Sequence, residues 1–146
     1  MEKYLKKVEI RWSDLDPNFH IRHSVYYDWG AFVRMNFFNE IGITLAAMMQ
    51  HNIGLIILRE ECVFKKEIIW GDNITINLKL LQSKKNGSRW TLQHEIFKNE
   101  NILSAVITLD GAWIDTQKRK LTTPPESFAE EFNKIPKADN FKWIGE

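Results

Sequence analysis

Two aspartates and two histidines lie within ten residues near the N-terminus: Asp14, Asp16, His20 and His23. Carboxylates and imidazoles act as nucleophiles and as general acids or bases, so this segment is where we expect the chemistry of the protein. The four side chains could also form a metal site. Because Asp-x-Asp and His-x-x-His lack a recognised ligand spacing, we expect no metal. An ordinary turn carboxylate remains the alternative for Asp16, since Asp-Pro-Asn is common in turns.

The elements on either side of this segment would have to position it. Residues 4–13 alternate between apolar and polar side chains, which predicts a strand. Apolar residues then recur at helical spacing between Ser24, the predicted N-cap, and Gly42, the predicted C-terminal stop. The N-terminus of such a helix offers unpaired N–H groups and the positive end of a dipole, which could hold a developing oxyanion.

The rest of the chain reads mainly as β structure. Strand patterns cover residues 55–70, 74–80, 90–96 and 103–113, and Asn86-Gly87 predicts a type I′ hairpin turn. A short helix is predicted over residues 126–133. We therefore predict one α+β domain over residues 1–146, with a core at about 5–130 and a C-terminal helix and tail at 125–146. Its long central helix would pack on an antiparallel sheet of about five strands.

Composition narrows the function. The 20 basic and 19 acidic residues give a net charge of +1 without a basic block, so we expect no nucleic-acid partner. No apolar run reaches the roughly 20 residues that span a bilayer, so we expect no association with a membrane. The single cysteine, Cys62, fits a reducing cytoplasm. The six tryptophans and His94 are predicted to lie mostly in the core or in a subunit interface.

The segment from Asp16 to Tyr26 also carries a family resemblance. Asp16-Pro-Asn-Phe-His20, followed by Tyr26 and a long apolar helix, resembles the hotdog-fold acyl-CoA thioesterases of the 4-hydroxybenzoyl-CoA thioesterase type. Their pattern is roughly D-x-x-G-H-x-N-N-x-x-Y, and the resemblance extends over about residues 5–130. A long edge strand that pairs with its twin would block the open sheet edge, so we expect a homodimer or homotetramer.

The resemblance implies a role for each matching residue. Asp16 occupies the position of the catalytic carboxylate, which acts as nucleophile or general base, and His20 matches a histidine common in the family. The backbone N–H of His23 or Ser24 falls where the family polarises the thioester carbonyl. Tyr26 matches a family tyrosine and is expected to contact the substrate. The resemblance implies hydrolysis of an acyl-CoA or acyl-carrier-protein thioester to free acid and thiol. Coenzyme A would enter as part of the substrate, and no further cofactor is implied.

Basic side chains could meet the phosphates of coenzyme A. We single out Arg22 and Arg59 as expected substrate-binding residues, whereas solvated surface is the simpler interpretation for each lysine. The lysines concerned are Lys65, Lys66, Lys84 and Lys85.

The sequence departs from the family pattern beside the expected site. Phe19 replaces the glycine, Arg22 and His23 replace the Asn-Asn pair, and Ala31 replaces an acidic residue of the helix. These departures leave the acyl group open and keep a non-catalytic acyl-thioester binding protein as an alternative. A hotdog enoyl-thioester hydratase or dehydratase is a further alternative. Its Asp-x-Asn-Pro-x-His arrangement is one residue shorter than the segment from Asp14 to His20.

Overall fold

A computed structural model describes residues 3–145, in which three helices and eight strands alternate irregularly. A single turn of 3-10 helix at Trp12–Asp14 links β1 to the segment before α1. In chain order the elements are β1 (Leu5–Val8), α1 (His23–Glu40), α2 (Leu45–Gln50), β2 (Ile53–Phe64), β3 (Ile74–Asn77), β4 (Lys79–Ser83), β5 (Arg89–Lys98), β6 (Ile102–Asp115), β7 (Lys120–Thr122), α3 (Glu126–Phe132) and β8 (Lys137–Trp143).

The strands form one sheet in which β2, β6 and β5 are antiparallel neighbours. Beyond β5 the sheet divides: β3 and β4 both pair with β5, β1 pairs with β3, and β8 lies parallel to β4. The prediction of α+β architecture is confirmed, but the count of about five strands is wrong. The pattern at 74–80 divides at Leu78 into two strands, while β7 and β8 are too short or too irregular to show alternation.

α1 packs on the sheet through a stripe of buried residues at helical spacing. Tyr26, Val33 and Phe37 are almost fully buried along this face. Gly30 lies in the same stripe, where a Cβ would stand 3.2 Å from the His94 ring. The helix ends just before Gly42, whose φ of 88° fits the predicted glycine stop. This packing fixes where the N-terminus of α1 points.

The predicted N-cap is wrong by two residues. Arg22 is the N-cap, with extended backbone and no side-chain capping bond, and Ser24 is the second residue of the helix. The Ser24 hydroxyl instead accepts a hydrogen bond of 2.6 Å from the Arg22 guanidinium. The first N–H groups of α1 are therefore left without the side-chain acceptor that the sequence pattern had suggested.

The C-terminal elements close the other end of the core. α3 matches the predicted short helix, and its Phe128 and Phe132 pack on Trp113 and Trp90, with ring centroids 5.8 and 5.2 Å apart, respectively. Phe132 also stacks on Phe38 of α1 at 5.7 Å. This aromatic cluster connects α1, α3 and the sheet.

The hairpin between β4 and β5 lies where the sequence predicts it, but its turn type is different. Of Asn86 and Gly87 only Gly87 has positive φ, at 77°, whereas a type I′ turn needs both. The loop spans residues 84–88 and is closed by hydrogen bonds from Lys84 N–H to Arg89 O and from Gly87 N–H to Lys84 O, each 2.9 Å.

Gly111 of β6 provides a test of how closely the sheet packs against the Trp90 indole. It lies directly opposite Trp90, and a Cβ at Gly111 would overlap the Trp90 indole. We predict that Gly111→Ala lowers the free energy of unfolding by about 1–3 kcal/mol, because the indole must shift within a packed core. Gly54→Ala on β2 is the matched control, since its Cβ would lie 3.6 Å from the nearest atom. Equal urea-unfolding midpoints for the two variants would contradict this packing.

Candidate active site

Asp16 holds the loop before α1 in a tight turn. Its carboxylate oxygen Oδ1 accepts hydrogen bonds from the N–H groups of Asn18 at 2.9 Å and His20 at 3.1 Å. Its backbone N–H donates to His20 O at 2.8 Å, and its carbonyl accepts from Phe19 N–H at 2.9 Å. Oδ2 makes no hydrogen bond to any residue in the described range 3–145. One oxygen of Asp16 therefore fixes the loop and the other is free for chemistry.

The loop is docked on the segment that follows β2. Ile21 N–H donates to Ile68 O at 2.9 Å, and both isoleucine side chains are buried. His20 faces Ile69 in an isolated antiparallel bridge, and its Nε2 lies 3.1 Å from Glu67 Oε2. A ring nitrogen that faces a carboxylate carries the hydrogen, so Nδ1 is the nitrogen left to accept or transfer a proton.

The start of α1 presents free N–H groups beside this loop. Arg22 N–H is used, because it donates to Asp14 O at 2.9 Å. The N–H groups of His23 and Ser24 make no hydrogen bond within the described residues, and no side chain caps the helix. Two unpaired N–H groups at the positive end of an 18-residue helix can bind an oxyanion.

Asp16, His20 and His23 line one pocket of about 380 Å³. Tyr26 forms part of its wall and packs edge-on against Phe64 at 4.9 Å, and burial raises the pKa of Tyr26 to about 12. Tyr26 is therefore a neutral phenol that can donate a hydrogen bond but does not act as a base near neutral pH. The pocket is lined by Asp16, His20, Ile21, His23, Tyr26, Phe64, Lys65, Lys66, Glu67 and Ile68.

Comparison with known proteins identifies the family of the chain. The sequence profile of the thioesterase-like superfamily matches residues 10–132. The chain belongs to this superfamily. Comparison with curated proteins finds no match.

Solved structures with the same fold include several thioesterases. The protein SAV2348 of Staphylococcus aureus, determined in complex with CoA, is 19% identical over 99% of this chain and 89% of its own, with a TM-score of 0.86. The DHNA-CoA thioesterase of Staphylococcus aureus is 18% identical over 92% of this chain and 91% of its own, with a TM-score of 0.82. Slr0204, a 1,4-dihydroxy-2-naphthoyl-CoA thioesterase of Synechocystis, is 15% identical over 92% and 98%, with a TM-score of 0.80. The predicted hotdog fold is confirmed.

Phe19, which stands in the sequence where the family pattern has glycine, has a backbone conformation that glycine adopts easily. Its φ of 63° is left-handed and costs a non-glycine residue roughly 1–2 kcal/mol. Its ring is exposed and contributes little packing. The hydrogen bonds around Asp16 hold Phe19 in the conformation that glycine adopts more easily, so this departure leaves the loop backbone intact.

Several predicted site residues do not line the pocket. Arg22 binds Ser13 O at 3.2 Å as well as the Ser24 hydroxyl, so its guanidinium holds the loop. Arg59 lies on β2 and pairs with Glu61 at 2.7 Å, away from the pocket of its own chain. Neither arginine is placed to bind substrate there. The hydroxyl of Ser24 does not reach the pocket either, and only its N–H remains a candidate.

Sequence reasoning missed Glu67 as a member of the site. It lies 47 positions after His20, and no motif spacing connects them. The only usable signal was its position beside Lys65 and Lys66, near the end of the strand predicted over residues 55–70, which in the structure ends earlier, at Phe64. Within the described residues, no group of three or more His, Cys, Asp and Glu side chains is arranged to hold a metal ion. No described helix is long and apolar enough to cross a membrane.

His94 lies in the core, away from the pocket. Its Nδ1 donates to Asn77 O at 2.8 Å, and its Nε2 lies 3.1 Å from the Arg34 guanidinium. Burial, followed by the charge of Arg34, lowers the pKa of His94 to about 3, so the ring is neutral. The prediction of a hydrogen-bonded core histidine is confirmed.

Asp14 supports the loop and provides a pH test. It is buried and accepts hydrogen bonds from the Arg11 guanidinium at 2.8 and 3.1 Å and from Arg11 N–H at 2.9 Å. Burial opposes ionisation, but these bonds outweigh it and hold the pKa of Asp14 below its ordinary value. We predict that Asp14→Asn lowers the free energy of unfolding by about 1–2 kcal/mol at pH 7.

This contribution depends on pH in a defined direction. A folded-state pKa below the unfolded value stabilises the protein above about pH 4, and that stabilisation disappears as the pH falls through the folded pKa. The difference between wild type and Asp14→Asn in urea unfolding should therefore shrink below about pH 4. Asp28→Asn, which removes an exposed carboxylate of α1, is the control. If the difference in unfolding free energy between wild type and Asp14→Asn stayed constant with pH, the lowered pKa of Asp14 would be contradicted.

Proposed function

We propose that the protein is a thioesterase that hydrolyses an acyl-CoA thioester to a free acid and coenzyme A. One observation carries the proposal: Asp16, whose Oδ2 is free, and His23, the first residue of α1, line the same pocket, and the N–H groups of His23 and the adjacent Ser24 are unpaired within the described residues. Membership of the thioesterase-like superfamily supports it. Phe19 keeps the backbone conformation suited to glycine, so this departure does not favour the non-catalytic alternative.

Each group has a defined task in this mechanism. The thioester carbonyl oxygen accepts hydrogen bonds from the N–H groups of His23 and Ser24, where the helix dipole stabilises negative charge on that oxygen. As general base, Asp16 takes a proton from the water that attacks the carbonyl carbon; as nucleophile, Asp16 attacks that carbon itself, and water then hydrolyses the resulting anhydride. His20, oriented by Glu67, gives a proton to the departing thiolate and regains one from Asp16 or from the hydrolytic water.

The carrier of the acyl group is proposed to be coenzyme A. Lys65 and Lys66 line the pocket, are exposed, and form no ion pair with any described residue. They are therefore available to phosphate groups, a role that the sequence had favoured for Arg22 and Arg59 instead. The similar structures include a complex with CoA and two enzymes named for a CoA thioester. The proposed reaction uses water, a carboxylate and backbone dipoles, and it calls for no further cofactor.

Replacement of Asp16 tests the mechanism. We expect wild type to release free thiol from at least one member of a panel of short, long, 4-hydroxybenzoyl and 1,4-dihydroxy-2-naphthoyl CoA thioesters. Asp16→Asn should lower kcat about a hundredfold or more, because the amide keeps an oxygen for the loop but cannot act as base or nucleophile. Asp28→Asn, at an exposed position on α1, the helix that follows the loop, controls for the lost charge and should retain activity.

The other outcomes are informative as well. A wild type that binds every thioester but hydrolyses none would support an acyl-thioester binding protein. Equal activity of wild type and Asp16→Asn, with both folded by circular dichroism, would remove Asp16 from the mechanism. The best substrate of the panel would identify the acyl group.

We further propose that two copies pair along β2. This strand has 12 residues, and among the strands of residues 3–145 it pairs with β6 alone, so its outer edge has no strand partner there. Ile57, Leu58, Val63 and Phe64 are about half exposed along it. Phe64 also belongs to the pocket wall, so the second copy would lie next to the site.

A charge on the edge strand tests this pairing. Leu58→Glu should convert a dimer or larger assembly into monomers in light scattering coupled to gel filtration, because the edge pairing would bury a carboxylate. Leu121→Glu on β7 is the matched control, since Leu121 is similarly exposed on a different strand. A monomeric wild type, or dissociation only in the control, would show that β2 is not the interface.

A further inference from the structure

Trp12 and Trp70 are unusually exposed for tryptophan, at 71% and 54% of their surface. Their rings meet edge to face, with centroids 6.2 Å apart and planes at 80°. Trp29, Trp90 and Trp113 are buried, as the sequence predicts, but this pair is not part of the core. The contact fixes the two rings relative to each other while both remain open to solvent.

Neither ring of the pair lines the pocket of the proposed active site, but each belongs to a segment that leads into it. Trp70 follows Ile69, which is bridged to His20, so Trp70 lies alongside the catalytic loop. Trp12 precedes Asp16 by four residues in the 3-10 turn that leads into the loop. Lys66, in the pocket wall, is four residues before Trp70, a span of at most about 14 Å for an extended chain. The segment over residues 65–70 thus carries two cationic side chains at the pocket and, beyond them, one ring of the tryptophan pair.

The exposure of the pair indicates which part of a ligand it would take. An acyl group has to be shielded from water, whereas an open aromatic face suits a nucleobase that stacks while its sugar and phosphates stay solvated. The nearby carboxylates of Glu67 and Asp72 are paired, with His20 and Lys98 respectively. Lys65 and Lys66 are therefore free, within the described residues, to face an anionic linker.

We propose that the Trp12–Trp70 pair stacks the adenine of coenzyme A, with Lys65 and Lys66 at its phosphates. This inference rests on the proposed thioesterase function and extends it, because the site would then favour a nucleotide-bearing thioester over one on a bare pantetheine arm. The residues of the catalytic loop alone imply neither a binding site for adenine nor a preference for acyl-CoA over acyl-pantetheine.

Kinetics on two substrates test the platform. The best acyl-CoA of the panel is compared with the same acyl group on pantetheine, which lacks the nucleotide. In Trp12→Leu and Trp70→Leu we expect KM for the acyl-CoA to rise about tenfold with kcat unchanged, equivalent to about 1.4 kcal/mol. Hydrolysis of acyl-pantetheine should not change. Trp70→Phe, which keeps an aromatic face, should restore most of the affinity.

Trp143 provides a matched control. It is 43% exposed and makes a similar edge-to-face contact with Phe141, 5.0 Å away, but it lies on β8. Trp143→Leu should leave both substrates unaffected. An equal loss with both substrates, no loss with either, or the same loss in Trp143→Leu would overturn the proposal. Dissociation of the oligomer in Trp12→Leu or Trp70→Leu would show that a second copy covers the pair instead.

Direct binding separates this inference from the proposed function. Adenosine 3′,5′-bisphosphate, the nucleotide end of coenzyme A, is titrated into wild type and variants by calorimetry. Binding by wild type that weakens about tenfold in Trp70→Leu supports the platform even if no thioester is hydrolysed. No binding by wild type, or equal binding by both proteins, overturns it even if hydrolysis is observed.

Discussion

The hydrogen bond from Arg22 N–H to Asp14 O closes the loop on which the site depends. It joins the residue before α1 to the end of the 3-10 turn, so the loop cannot open without disturbing the helix start. The Asp14 side chain is itself held by Arg11, and the Arg22 side chain holds Ser13 and Ser24. Together these hydrogen bonds fix the position of Asp16 relative to the N-terminus of α1.

Asp14 and Asp16 are two residues apart but have different surroundings. Asp14 is buried, and both of its oxygens accept hydrogen bonds from Arg11. Asp16 is partly exposed and accepts bonds through one oxygen only. A carboxylate whose oxygens are all occupied supports structure, whereas one with a free oxygen beside a pocket is available for proton transfer. Spacing in the sequence does not reveal this difference, since it arises from the turn between them.

The sequence predicted the features that depend on local patterns. The long helix α1 and the short helix α3 follow from helical spacing, and the end of α1 follows from Gly42. The position of the Asp16 loop follows from turn residues and the family pattern. The number of strands did not follow, because β8 alternates weakly and its parallel pairing with β4 depends on contacts across the chain. The prediction of the N-cap failed for a related reason. The N–H of Arg22 donates to Asp14 O, and with Arg22 held in this way the helix begins at His23, one residue before Ser24.

The site residues that escaped prediction come from the segment after β2. Glu67 and Ile68 are distant from the loop in sequence and reach it only because β2 runs the length of β6 and then turns back toward α1. A motif search can find the loop and the helix start, since these are adjacent in the chain. It cannot find the opposite wall of the pocket, which is positioned by the sheet.

The free edge of the sheet and the pocket are physically connected. β2 ends at Phe64, which is half exposed and packs on Tyr26 in the pocket wall. Farther along the same strand, Glu60 lies 3.7 Å from the buried Arg34 of α1, and burial raises the pKa of Glu60. β2 is thus linked to α1 by the Glu60–Arg34 ion pair, and at Phe64 it forms part of the pocket wall. A second copy paired along β2, as proposed above, would therefore contact the same strand that supplies Phe64 to the pocket wall.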